Sequence, residues 1–138
     1  MGQKKVIIDT NVLISALGWG GTPYKVVDLG FSGAFRWLIS RPIFHELLTT
    51  LDYAKLDFIN KKNKESFVSA VYEIAEFIEI GKKFKLHFVD PDDVMILECA
   101  LEADVDYIVT GNKHLLELET IGRAKIITPS KFLTAIKR

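Results

Sequence analysis

The sequence predicts an α/β fold, a parallel β-sheet covered by helices on both faces. Three observations carry this. Short runs of β-branched and aromatic residues alternate with helical stretches along the whole chain, as βαβ units require. Helix-start signals recur along the chain: Thr22-Pro23, Ser40-Arg41-Pro42 and Thr128-Pro129 each pair a capping residue with a proline suited to the first turn, and Asp90-Pro91-Asp92-Asp93 initiates a helix from Val94. The first run, Val6-Ile7-Ile8, is too brief for a helix and suits a strand buried on both faces.

That run ends abruptly in Asp9-Thr10-Asn11, after which Val12, Leu13, Ala16 and Leu17 follow at helical spacing. A carboxylate therefore stands where a buried strand hands over to a helix, at the sheet edge where open α/β folds bind ligands. Thr22 is the expected cap of a second helix running from Pro23 to about Phe31. The glycines before it are not followed by Gly-Lys-Ser/Thr, so a P-loop is excluded. A second strand is expected over 35–39. Ser40 then caps a helix that turns Ile43, Leu47, Leu48 and Leu51 inward and places Glu46 near its start. Residues 52–63 are charged and less periodic, consistent with a short helix and a corner. A long helix is expected over 66–80, with Phe67, Val71, Ile74 and Ile78 as its stripe and Gly81 as its stop. A third strand over 84–89, a helix over 94–103 and a fourth strand over 106–110 follow. Gly111-Asn112 breaks that strand before a short helix over 113–118, a fifth strand over 124–127 and a last helix. No linker, repeat or low-complexity segment divides residues 1–138, which read as one domain.

A chain of 138 residues can bury a real core. Eighteen basic residues balance eighteen acidic ones, so an anionic partner would need a local patch. The single cysteine, Cys99, excludes an internal disulfide and a cysteine-based zinc site. No apolar run approaches the roughly 18 residues of a membrane span, and no signal peptide or lipidation motif is evident, so a cytoplasmic protein is expected.

The acids carry the chemical signal. Asp9 follows the first strand, Glu46 the second and Asp93 the third, with Asn112 in the comparable place after the fourth. If the strands are parallel, all four corners share one edge. Carboxylates gathered there repel one another, and a divalent cation offsets that cost. Oxygen donors without His or Cys favour Mg²⁺ or Mn²⁺. Each acid alone also has a plain structural reading: Asp9 as a helix cap, Glu46 as a solvated helix residue, Asp92 or Asp93 as a cap and dipole partner. The joint pattern points to a site. His45, His87 and His114 lack metal-ligand spacing, and Cys99 sits among core positions. Ser15, Ser40 and Thr110 lack a His-Asp pair, so a hydrolase triad is not indicated. Trp19 and Trp37 could stack on bases, although one core and one loop aromatic is the ordinary expectation. The clusters Lys61-Lys62-Asn63-Lys64 and Lys82-Lys83-Phe84-Lys85 read either as a solvated face or as a phosphate-contacting rim.

Four motifs in order resemble the PIN domain nucleases: Ile7-Ile8-Asp9-Thr10-Asn11-Val12-Leu13, then Ile43-Phe44-His45-Glu46-Leu47, then Asp90-Pro91-Asp92-Asp93 with Ala100, and finally Tyr107-Ile108-Val109-Thr110-Gly111-Asn112. Gly20-Gly21-Thr22-Pro23 and Asp90-Pro91-Asp92-Asp93 look most like the branch of toxin components of toxin–antitoxin pairs. The resemblance implies a three-layer α/β/α fold with a five-stranded parallel sheet ordered 3-2-1-4-5. It implies a VapC-like, Mg²⁺- or Mn²⁺-dependent endoribonuclease, often a homodimer, with an antitoxin protein as partner. The family's acidic residues carry over to Asp9, Glu46 and Asp93, and its supporting polar positions to Thr10, Asn11 and Thr110. One position departs from the pattern, because the fourth acid is Asn112 here. A second ion should then bind more weakly, unless Asp92, Glu98 or Glu117 compensates. The expected mechanism has Asp9 and Asp93 on the ion and Glu46 ligating it or holding its water, acting on single-stranded or looped RNA. The alternative is a PIN-fold module weakened by Asn112 and retained to bind RNA or a partner protein. A receiver-like phosphoacceptor would want paired acids at the end of strand one, where Asp9 stands alone, and a haloacid-type phosphatase a D-x-D start, whereas residue 11 is Asn.

Overall fold

The computed structural model describes residues 2–81, 84, 86 and 90–137. Strand β1 (Lys5–Ile8) leads into helix α1 (Thr10–Trp19), and α2 (Gly21–Phe31) follows after a single residue. That residue, Gly20, adopts φ 69° and ψ −133°, a conformation natural to glycine and strained for a side chain. The tight joint moves the start of α2 back to Gly21, so Gly20 takes the capping position expected of Thr22. Strand β2 (Arg36–Ser40) passes directly into α3 (Arg41–Leu51), where the Ser40 hydroxyl accepts from the Ile43 N–H as its sequence position predicts. After a short turn of helix at Ala54–Leu56 come α4 (Lys61–Ile74) and β3 (Glu76–Ile78). The chain then forms α5 (Pro91–Ala103), β4 (Tyr107–Val109), α6 (Lys113–Leu118), β5 (Thr120–Ile121), β6 (Ala124–Ile127) and α7 (Pro129–Ile136).

The sheet order is β3-β2-β1-β4-β6-β5. Its first five strands are parallel and reproduce the expected 3-2-1-4-5 arrangement, with β1 central between β2 and β4. A sixth strand not expected from the sequence, the two-residue β5, pairs antiparallel with β6, Ile121 opposite Ala124. It is too short to show the alternation by which a strand is read from sequence.

The third strand differs in position. The helix expected to reach residue 80 ends at Ile74, and residues 76–78 pair instead with β2 in the register Leu38↔Glu76 to Ser40↔Ile78. Ile74 is exposed and Ala75 is already extended, so the apolar stripe turns over to the open edge of β2. At its other end α4 starts before residue 66, because the Asn60 side chain caps it by accepting from the Asn63 N–H at 2.7 Å. The strand expected over 84–89 falls mostly outside the described residues; Phe84 and Leu86, which are described, belong to neither helix nor strand.

The core lies on both faces of β1, β2 and β4, whose Val6, Ile7, Ile8, Leu38, Ile39, Ile108 and Val109 are fully buried. Trp37 backs onto Gly30 of α2 so closely that a Cβ there would stand 2.9 Å from the indole. Because β1, β2 and β4 run parallel, Asp9, Ser40 and Thr110 emerge at the same edge of the sheet.

Candidate active site

Asp9 leaves β1 in extended conformation, and its carbonyl oxygen accepts from the N–H groups of Val12 and Leu13 to open α1. Its carboxylate makes no capping bond. Instead Oδ2 accepts from the Thr110 hydroxyl at 2.6 Å, a link between the ends of the adjacent strands β1 and β4. The same hydroxyl accepts from the Asn112 N–H at 2.9 Å. Thr110 is thus wholly buried behind Asp9 and orients it.

The first turn of α5 is capped by Asp90, whose Oδ1 accepts from the Asp92 N–H at 2.9 Å. Asp93, one residue further, is spared from capping and is buried. Its Oδ1 accepts from the Asn112 Nδ2 at 2.8 Å. Asn112 is held at both ends of its amide, because its Oδ1 accepts from the His114 N–H at 2.8 Å to cap α6. A backbone N–H can only donate, so the amide oxygen faces α6 and the amide nitrogen faces Asp93. Asn112 therefore presents a donor to Asp93 where a fourth acid would present an acceptor.

Asp9, Thr10, Asn11, Glu46, Asp93 and Asn112 line one cleft of about 480 Å³, with Thr110 behind it. Asp90 and Asp92 join them. Ile14, Ser15 and Trp19 of α1 also line it, as do Thr50, Lys55 and Leu56. Lys55 and Leu56 escaped the sequence reading because the charged stretch around them carries no motif; only the turn at Ala54–Leu56 brings them here.

The acids of this cleft are under strain. Burial above all, then the charges of Asp93 and Asp92, raises Asp9 above the ordinary carboxylate range, against the pull of the Thr110 bond and the Thr10 backbone. Glu46 is pushed up to about 7, first by burial and then by a hydrogen bond shared with Asp92 and the charges of Asp92 and Asp9. Burial and the neighbouring Asp90 charge raise Asp93, with His114 and Asn112 acting in the other direction. The Thr10 hydroxyl also lowers Glu46, yet it is buried without a bond of ordinary hydrogen-bond geometry. Among the described residues, no three His, Cys, Asp or Glu side chains stand close enough to hold a metal ion as they are.

The sequence model of a family described as PIN domain matches residues 5–114. The chain belongs to the PIN domain family. PIN domains are generally metal-dependent nucleases, and all four motifs fall within the matched span. The chain is also similar to an uncharacterized protein of Methanocaldococcus jannaschii, 28% identical over 145 residues that cover 97% of this chain and 92% of that protein. Among solved structures it resembles VapBC2 from Rickettsia felis bound to a DNA fragment from their promoter, at a TM-score of 0.63 and 16% identity, covering 88% of this chain and 96% of that one. That likeness establishes a shared fold. Among the described residues, no helix of this PIN domain is long and apolar enough to cross a membrane.

Proposed function

We propose that this PIN domain is a Mg²⁺- or Mn²⁺-dependent endoribonuclease, the toxin component of a toxin–antitoxin pair, acting on single-stranded or looped RNA. One observation carries the reading: Asp9, Glu46 and Asp93, from three separate helix–strand corners, line a single cleft with their pKa values all raised. Acids crowded in this way are short of positive charge, and oxygen donors without His or Cys suit a hard cation. In chemical type, though not in their spacing without metal, these donors fit the ion that the family implies. Asp9 and Asp93 would hold it, with Glu46 on it or on its water. When bound, such an ion lowers the pKa of water and neutralises charge on phosphoryl oxygens.

The chain's own groups do the rest. Thr110 aims Asp9 through the 2.6 Å bond, and Asn112 aims Asp93 through its amide nitrogen. Glu46, with a pKa near neutrality, is suited to take the proton of the attacking water. Lys55 gives an incoming phosphate a cation at the cleft wall. The partners that go with this reading are RNA, an antitoxin protein and a second copy of the chain, in the cytoplasm. The test is incubation of the purified protein with mixed RNAs and Mn²⁺ or Mg²⁺, alongside chelator and Asp9→Asn controls. Cleavage that persists in Asp93→Asn would sink the assignment.

One observation favours a second reading. The amide oxygen of Asn112 already accepts from the His114 N–H and this position lacks the charge of an acid, so a second ion is held more weakly here. A weakened PIN module retained for binding RNA or a partner protein would show no Mn²⁺ binding by calorimetry at millimolar metal.

A further inference from the structure

The acidic cleft continues along α1 beyond the acids. Asn11, Ser15 and Trp19 are spaced by four and all line it, forming one helical stripe. From Asn11 to Trp19 the stripe rises about 12 Å, a length that a few nucleotides span. At its far end the indole of Trp19 is 69% exposed, although a ring of this size is ordinarily well buried. Phe58, itself 60% exposed, lies against it with ring centroids 5.4 Å apart and planes tilted by 55°. Phe58 in turn sits over Gly18, where an added Cβ would approach its ring to 3.4 Å. The indole is therefore propped from one side by a ring seated on its own helix, and the greater part of it is left to solvent. Lys55 lies on the same cleft, with its ammonium 6.0 Å from the centroid of the exposed Tyr53 ring. The other tryptophan, Trp37, is buried in the core.

An exposed, braced aromatic on the wall of an acidic cleft that Lys55 also lines is what an unpaired base requires for stacking. We propose that Trp19, propped by Phe58, is a base-stacking platform that makes the cleft select unpaired nucleotides. The inference rests on the nuclease reading for the identity of its ligand, and it assigns the residue that decides single-strand preference. A duplex keeps its bases stacked on one another and offers this ring no free face. Lys55 holds a phosphate of the same strand, so the platform and the acids read one continuous chain.

Titration with Ca²⁺ in place of Mn²⁺ tests it. A short oligouridine quenches the exposed-indole emission, whereas an abasic oligomer with the same number of phosphates does not. By anisotropy of a labelled strand, Trp19→Ala weakens single-strand binding by about tenfold or more, Trp19→Phe recovers most of it, and binding of a duplex is indifferent to both. Because the side chain is mostly exposed, both variants keep the parent's melting temperature. Unchanged single-strand affinity in Trp19→Ala overturns the platform, as does quenching on concentrating the protein alone, which would mean that a second copy covers the ring. Stacking without any cleavage in Mn²⁺ leaves the platform standing and removes the nuclease, and cleavage with unaltered Trp19→Ala affinity does the reverse. A parent protein that binds no oligonucleotide overturns both.

Discussion

The two edges of the sheet treat their charges in opposite ways. At the amino edge, Asp106 precedes β4, Lys5 opens β1, Arg36 opens β2 and Glu76 opens β3, and there the acids are paired. Asp106 accepts from the Lys5 N–H at 2.8 Å and binds the Arg123 guanidinium, which also reaches Asp104. Burial acts to raise Asp106, but these bonds outweigh it and its pKa is lowered. Glu76 is lowered by its two bonds to Arg36, at 2.7 and 3.0 Å. At the carboxyl edge Asp9, Glu46 and Asp93 are all raised, and the hydrogen bonds they receive do not offset their burial and mutual repulsion. The same residue types on one rigid sheet thus serve stability at one edge and hold unrelieved charge at the other. Charge left unrelieved in a cleft is the pattern expected of a functional site.

The largest expected effect breaks this contrast at its charged edge. Asp9→Asn should abolish Mn²⁺-dependent RNA cleavage while raising the melting temperature of the metal-free protein, since it removes a repelled acid. Loss of activity together with loss of stability would instead place Asp9 in the framework. Glu46→Gln should lower the rate by about a hundredfold or more if the group takes a proton, measured at saturating RNA.

At the amino edge the sign reverses. Asp106→Ala removes the acceptor of a backbone N–H and of a guanidinium, and should cost about 1–3 kcal/mol in denaturant unfolding. A smaller effect comes from pH. The folded pKa of Glu46, about 7, lies above its unfolded value of 4.5, so the native state binds the extra proton between them. Metal-free stability should therefore fall as pH rises from about 5 to 7.5, by on the order of 1 kcal/mol once partial exposure is discounted. Asp9 and Asp93 act in the same direction. Mn²⁺ should reverse the trend and stabilise most at the higher pH, because binding displaces those protons. A thermal melt series with and without Mn²⁺ reads both. The smallest effect belongs to Arg36→Ala, which opens an exposed pair and should scarcely move the melting temperature.

Local chemistry was legible in the chain. Ser40 and Thr128 cap helices where their side-chain type and the following proline require it, and Val6-Ile7-Ile8 forms the buried central strand, whereas the cap expected of Asp92 or Asp93 falls to Asp90 and α5 starts at Pro91 and not at Val94. Elements that depend on a distant partner were not legible. Residues 76–78 carry a helical pattern as letters and become a strand because β2 has an open edge to fill. Thr22 is a sound cap by type, and loses that place because Gly20 turns the chain one residue earlier.

The site divides along the same line. That Asp9, Glu46 and Asp93 would meet at one edge of the sheet follows from the sequence by itself, because it depends on residue type and on elements a few residues long. Which carboxylates are left free of capping, that Asn112 turns its nitrogen and not its oxygen toward Asp93, and that Trp19 rather than Trp37 stands open at the cleft were decided only by the tertiary structure. Each of those outcomes is a competition for one hydrogen-bond partner or one packing surface, and the competitors lie up to a hundred residues apart in the chain.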